Sequence, residues 1–156
     1  MKEEPLKIAP NFTLKNTLGE DVSLESYKGK KNVLVLFFPL AFTGTCTKEL
    51  CSIRDNLKLY ESLDAEILGI SIDSFFTLKE FKNSQNLNFQ LLSDFNKTVA
   101  QEYGVLYEDF FGMKGVAKRS TFLIDKEGQI RFSEVLENAS DLPNFAKVQE
   151  VLVGLN

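Results

Sequence analysis

Val33 to Arg54 reads VLVLFFPLAFTGTCTKELCSIR, and its character changes partway. Val33 to Phe38 is a continuous apolar run rich in β-branched and aromatic residues. That composition suits a strand buried on both faces. Pro39 cannot donate to a central ladder, so the strand ends there. Thr43 and Thr45 are capping residues, and from Cys46 onward the period is helical. Cys46, Leu50, Ile53, Leu57 and Tyr60 share one face of a helix that runs from about Gly44 to Leu63. Cys46 thus falls where a central strand feeds the first turn of a helix, at the open end of an α/β sheet where ligands bind. Such a turn has unpaired N–H groups and a partial positive charge. Thiols placed there ionise more readily than free ones, and the thiolate is the nucleophile. Thr43, just upstream, can offer a hydroxyl to whatever Cys46 attacks.

The remaining composition narrows the chemistry. A chain of 156 residues is expected to be one domain, 1–156, with a sizeable core. The net charge of -4, without long single-sign runs, argues against nucleic acid or an anionic membrane as a partner. No apolar stretch approaches the roughly 20 residues of a membrane span. MKEEPLK at residues 1–7 lacks the apolar segment of a secretory signal, so a cytoplasmic protein is expected. The chain has no histidine, which removes Cys–His and Ser–His catalysis and any metal site built on His. Two cysteines are too few for a structural zinc site, and the scattered glycines form no phosphate loop, so neither metal nor cofactor is expected. Cys46 and Cys51 remain as the only soft nucleophiles. In a reducing compartment so close a pair is more often redox-active than structural.

Outward from the central stretch, residues 1–11 read as a polar lead-in. Phe12–Leu14 and Val22–Leu24 flank Leu18-Gly19 as a short N-terminal hairpin. Ile67–Ile72 is a second buried strand. Ser74 or Thr77 caps a helix carrying Leu78 and Phe81, Phe89–Leu92 is short and extended, and Lys97–Tyr103 is a helix stopped by Gly104. Val105–Gly115, VLYEDFFGMKG, has four large side chains without periodicity. It reads either as a loop plugging the core or as a lid or subunit contact beside the active end. Ser120–Ile124 and Ile130–Val135 form a hairpin around Asp125–Gly128. Asp141 starts a last helix with Pro143 in its first turn. The order predicts an α/β chain with a central mixed sheet flanked by helices.

Pro39, Thr43 and Cys46 match the Pro-x-x-x-Thr-x-x-Cys signature of the peroxiredoxins, and almost the whole chain resembles that family. Arg119, in KRSTFLID, is similar to the family's active-site arginine. Pro10-Asn11-Phe12 resembles its N-terminal Pro-Asp-Phe, with Asn in place of Asp. The resemblance implies a thioredoxin-like fold with an added N-terminal hairpin. It also implies reduction of hydrogen peroxide and organic hydroperoxides at the expense of a thiol donor, such as thioredoxin or a glutaredoxin-like protein. Cys51 resembles the second cysteine of the bacterioferritin-comigratory or Q-type branch. PLAFTGTCTKEL also resembles the one-Cys E-type branch, which lacks it.

Under that resemblance the Cys46 thiolate attacks the terminal peroxide oxygen and becomes a sulfenic acid. Thr43 and nearby N–H groups donate to the peroxide, Arg119 polarises it, and Pro39 shapes the loop and limits water. Glu49, one turn after Cys46, is expected to orient Arg119, because an unpaired carboxylate would oppose the thiolate. Arg54, two turns along, is a further candidate partner, whereas Arg131 reads as outward. Cys51 lies roughly 140° around the helix from Cys46 and about 7.5 Å along it. It is off the apolar stripe, and an intact helix holds it beyond disulfide reach. Resolution of the sulfenic acid by Cys51 therefore requires the helix start to unwind, which Gly44 and its threonine neighbours make less costly. The alternatives are an external thiol that resolves Cys46 directly, a thioredoxin-type dithiol oxidoreductase, and a non-enzymatic redox sensor. Either a monomer or a homodimer, joined through Leu40–Phe42 and Tyr107–Met113, is compatible with these residues.

Overall fold

A computed structural model describes residues 7–156. The part of the expected lead-in over residues 1–6 lies outside the described residues. Among the described residues eight strands form one sheet: β1 (Lys7–Ile8), β2 (Thr13–Asn16), β3 (Asp21–Ser23), β4 (Asn32–Phe37), β5 (Ala65–Ser71), β6 (Gln90–Ser93), β7 (Ser120–Ile124) and β8 (Gln129–Val135). Their order across the sheet is β1-β8-β7-β4-β5-β6-β2-β3. The lead-in is therefore not wholly irregular: Lys7 and Ile8 add an antiparallel edge to β8. The N-terminal hairpin, β2 with β3, docks antiparallel on β6.

The six residues of β4 lie at the centre and are all buried. β5 pairs with β4 in parallel, and β7 pairs with it antiparallel, so the sheet is mixed as the element order predicts. Alternate side chains along β4 feed two cores, because successive Cβ atoms point to opposite faces. Leu34, Leu36 and Phe38 join the core beneath α1 (Gly44–Asp55), α2 (Leu57–Ser62), α3 (Phe75–Ser84) and α5 (Phe145–Gly154). Val33, Val35 and Phe37 face the other core, with Val99 and Ala100 of α4 (Thr98–Glu102) and Val105 beyond it. Gly69 in β5 packs closely on the helical-side core. A Cβ there would stand 2.8 Å from Leu91 Cδ2 and 3.5 Å from the Phe38 ring.

Two elements differ from the sequence reading. The helix expected over residues 44–63 breaks at Asn56, whose φ is -114° and ψ 14°. Its side-chain amide donates to the Ser52 carbonyl at 2.8 Å and competes with the helical ladder. The last helix begins at Phe145, not Asp141. Asn144 caps it by accepting from the Lys147 amide at 3.1 Å, and Pro143 lies outside it. Among the described residues no helix is long and apolar enough to cross a membrane.

Candidate active site

β4 ends at Phe37, and Pro39 follows as a buried residue at the mouth of the sheet. The chain then turns sharply through Phe42, whose φ of +66° is rare for a non-glycine residue. This turn sets the Phe42 ring 5.1 Å from that of Phe81 on α3. The Ala41 amide donates to Asp73 Oδ2 at 2.8 Å, and Ser71 donates to the same oxygen at 2.6 Å. The end of β5 thereby anchors the loop that carries the reactive residues.

Thr43 occupies the N-cap position of α1, but its hydroxyl does not cap the helix. It donates instead to the Leu40 carbonyl at 2.7 Å. The first-turn amides, those of Thr45 and Cys46 among them, thus lack a capping side chain. Cys46 follows, fully buried, on the α1 face that also carries Leu50 and Ile53.

Arg119 reaches the sulfur from the start of β7. Its Nη2 donates to Cys46 Sγ at 3.2 Å and to the Ala139 carbonyl at 3.0 Å, and its Nη1 donates to Glu49 Oε2 at 2.5 Å. Arg119 and Glu49 are 1% and 0% exposed. Glu49 is placed by helical spacing: at i+3 from Cys46 it faces the same side of α1. Burial pushes its carboxyl up to about 7, against the opposing pull of Arg119. Arg119 is held above its ordinary value. Burial works against its charge, but Glu49 and Cys46 together outweigh that loss. The two polar atoms without a partner at this centre are Glu49 Oε1 and Arg119 Nε.

A cleft of about 380 Å³ opens over the thiol. Pro39, Leu40, Thr43, Cys46 and Arg119 line one side, and Phe110, Phe111 and Met113 line the other. The latter belong to the aperiodic segment. Val105 is buried in the core, whereas Phe111 is 88% exposed. Phe110 and Met113 exchange backbone hydrogen bonds of 2.8 and 2.9 Å around Phe111-Gly112. Both turn residues have positive φ, as a tight two-residue hairpin demands. The Tyr107 ring stacks on that of Phe110, and its hydroxyl donates to the Glu137 carbonyl. The segment is therefore a small hairpin standing beside the thiol.

Of the residues singled out from sequence, Pro39, Thr43, Cys46, Glu49 and Arg119 come together. Cys51 does not join them. Its thiol is half-buried and donates to Gln85 Oε1 at 3.6 Å, beside the end of α3. Although off the apolar stripe of α1, in the structure it packs against the helical core, beside Gln85 at the end of α3. Arg54 also lies away from the centre, bonded to Asp55 Oδ1 at 2.9 Å and to the Gln85 carbonyl at 2.5 Å. Two helical turns separate it from Cys46, about 12 Å along the axis. Arg131 is exposed and pairs with Asp125, as its alternation in β8 predicts. Sequence reasoning missed Asp73 and the Ala139 carbonyl.

A thiol at a helix start, a guanidinium on its sulfur and a buried carboxylate behind that guanidinium define a peroxiredoxin-type centre on a thioredoxin-like fold. The chain belongs to the AhpC/TSA family, whose model matches residues 5–133. It is 44% identical over 129 residues to alkyl hydroperoxide reductase E of Mycobacterium tuberculosis, covering 81% of this chain and 82% of that protein. It is 40% identical over 124 residues to the chloroplastic peroxiredoxin Q of Oryza sativa subsp. japonica, covering 80% of this chain and 55% of that one. The crystal structure of peroxidoxin BcpB from Mycobacterium tuberculosis superposes with a TM-score of 0.87 at 28% identity, covering 97% of each chain. The chain is a thiol-dependent peroxidase.

Proposed function

We propose that residues 1–156 act as one thioredoxin-like domain that reduces hydroperoxides through Cys46, with Cys51 as the resolving thiol. The observation that carries this reading is the Arg119 guanidinium, bonded at once to the Cys46 sulfur and to Glu49. A cation there stabilises negative sulfur in the resting site. It also meets the negative charge that grows on the departing oxygen. The ionised sulfur attacks the terminal peroxide oxygen and the O–O bond breaks. The other oxygen leaves, takes up the proton that the Cys46 thiol released and becomes alcohol or water, and Cys46 is left as a sulfenic acid.

Thr43 and the first-turn amides surround the same space. Thr43 is thus not the donor expected from sequence: with its proton committed to the Leu40 carbonyl, its hydroxyl presents lone pairs and accepts from the protonated end of the hydroperoxide. The first-turn amides donate to its other oxygen. Pro39 forms the apolar floor that excludes water. Glu49 fixes Arg119, and the Ala139 carbonyl holds the same nitrogen that faces the sulfur.

Cys51 then displaces hydroxide from the sulfenic sulfur. This makes an intrachain disulfide that a thioredoxin- or glutaredoxin-like dithiol returns to two thiols. A reducing, cytoplasmic setting suits such a cycle. Non-reducing mass spectrometry after one equivalent of peroxide tests the assignment. It should find a Cys46–Cys51 bridge within one chain. A lasting sulfenic acid, or a mixed disulfide with added thiol, would instead favour the one-cysteine route.

A further inference from the structure

The two halves of α1 are held very differently. Its first turn contains Gly44, which has no neighbouring heavy atom where a Cβ would stand, and Thr43 gives it no side-chain cap. Its last turns are fastened to the segment after α3 by three contacts. The Cys51 thiol donates to Gln85 Oε1 at 3.6 Å, Arg54 Nη1 donates to the Gln85 carbonyl at 2.5 Å, and Asn88 Nδ2 donates to the Arg54 carbonyl at 3.4 Å. Gln85 takes part in two of the three, one through its side chain and one through its backbone. It is also the C-cap of α3, so it lies at the end of a well-packed helix and not on a free loop.

This asymmetry bears on the step after peroxide reduction. In that step the Cys51 S–H and the Cys46 S–OH become one S–S bond and one water. The sulfenic S–O bond breaks, and the thiol proton leaves with the hydroxyl. The disulfide needs Cα atoms within about 7 Å, which an intact α1 does not allow. Once Cys46 is a sulfenic acid and no longer a thiolate facing Arg119, the uncapped first turn can unwind and carry Cys46 outward. Cys51, however, still points at Gln85, with its proton on the amide oxygen, and the helix around it stays stapled.

We propose that Gln85 is a positioning residue that latches Cys51 away from the sulfenic acid and so sets how long that acid persists. The proposal rests on the reading of Cys51 as the resolving thiol. Arg54 reinforces the latch by tying the same helical turn to the Gln85 backbone. The latch acts only on resolution, because neither residue touches the cleft above Cys46. Its consequence is chemical: a longer-lived sulfenic acid meets more peroxide and more external thiol before Cys51 arrives.

The test compares wild type, Gln85→Leu, Gln85→Glu and Arg54→Met as full-length chains by rapid-quench mass spectrometry after one equivalent of hydrogen peroxide. Leu keeps the bulk of Gln85 and removes the acceptor, whereas Glu keeps an acceptor. Gln85→Leu should form the Cys46–Cys51 disulfide about fivefold faster than wild type, with an unchanged first phase of sulfenic acid formation. Arg54→Met should also be faster, and Gln85→Glu should stay near the wild-type rate. In excess peroxide, Gln85→Leu should accumulate less Cys46 sulfinic acid. An unchanged or slower disulfide in Gln85→Leu overturns the latch and leaves Cys51 as the resolving thiol. A gain shared equally by Gln85→Glu marks general loosening of α3 and also overturns it. Absence of the bridge in wild type overturns both readings together.

Discussion

Arg119 Nη2 stands 3.2 Å from the sulfur of Cys46, and neither side chain is open to solvent. The pair joins β7 to the start of α1 across the end of the sheet. Replacing Arg119 with Met should slow the peroxide step about 100- to 1,000-fold, the usual loss when one preorganised charge donor is removed. Stopped-flow consumption of hydrogen peroxide measures it.

The same substitution leaves Glu49 buried without its cation. Above about pH 7, where Glu49 is ionised, Arg119→Met should therefore destabilise the chain by about 3–5 kcal/mol, as breaking a buried ion pair does. Glu49→Gln added to Arg119→Met should restore a large part of that loss without restoring activity. Urea unfolding of both variants beside wild type separates the two effects.

Stability should also depend on pH through Glu49. Its folded pKa is raised by burial from 4.5 to about 7. Between these values the folded state holds a proton that the unfolded state has released. The contribution is thus complete below about pH 4.5 and lost as pH rises through about 7. The raised value corresponds to roughly 3 kcal/mol across that window. Urea unfolding at intervals from pH 5 to 8 should show a falling limb that Glu49→Gln removes. An equal slope in that variant would assign the limb to another group.

Thr43 is exposed, and its hydroxyl bonds only to the Leu40 carbonyl. Thr43→Val should cost little stability yet slow the peroxide step roughly 100-fold, while Thr43→Ser keeps most of the rate. A loss in Thr43→Ser with none in Thr43→Val would point to the methyl group, not the hydroxyl.

Phe111 is 88% exposed on the hairpin beside the cleft, where it can cover an alkyl tail but touches nothing as small as hydrogen peroxide. Phe111→Ala should lower kcat/KM for cumene hydroperoxide roughly tenfold and leave the value for hydrogen peroxide nearly unchanged.

Much of this arrangement was legible in residue order. The run Val33–Phe38 announced a strand buried on both faces, and Pro39 marked its end. The spacing of Cys46, Glu49 and Leu50 placed a carboxylate on the thiol's side of the helix. Alternation with Ile130 and Phe132 set Arg131 outward, but Arg119 itself was legible only through its resemblance to a family arginine. The Ala139 carbonyl had no signal at all, because a backbone oxygen carries no side-chain signature. Asp73 left none either: its bond to the Ala41 amide depends on how two crossover loops meet. The break at Asn56 was hidden by apolar periodicity that continues through Leu57 and Tyr60. Cys51 was read from one helix alone, and its neighbour Gln85 at the end of α3 became visible only in three dimensions.

Single-turnover stopped-flow of wild type, Cys46→Ser and Cys51→Ser against hydrogen peroxide bears most directly on the chemistry. Cys46→Ser should consume no peroxide, and Cys51→Ser should consume one equivalent at the wild-type rate and then stall as the sulfenic acid. Wild-type peroxide consumption by Cys46→Ser would show that the sulfur held by Arg119 is not the nucleophile.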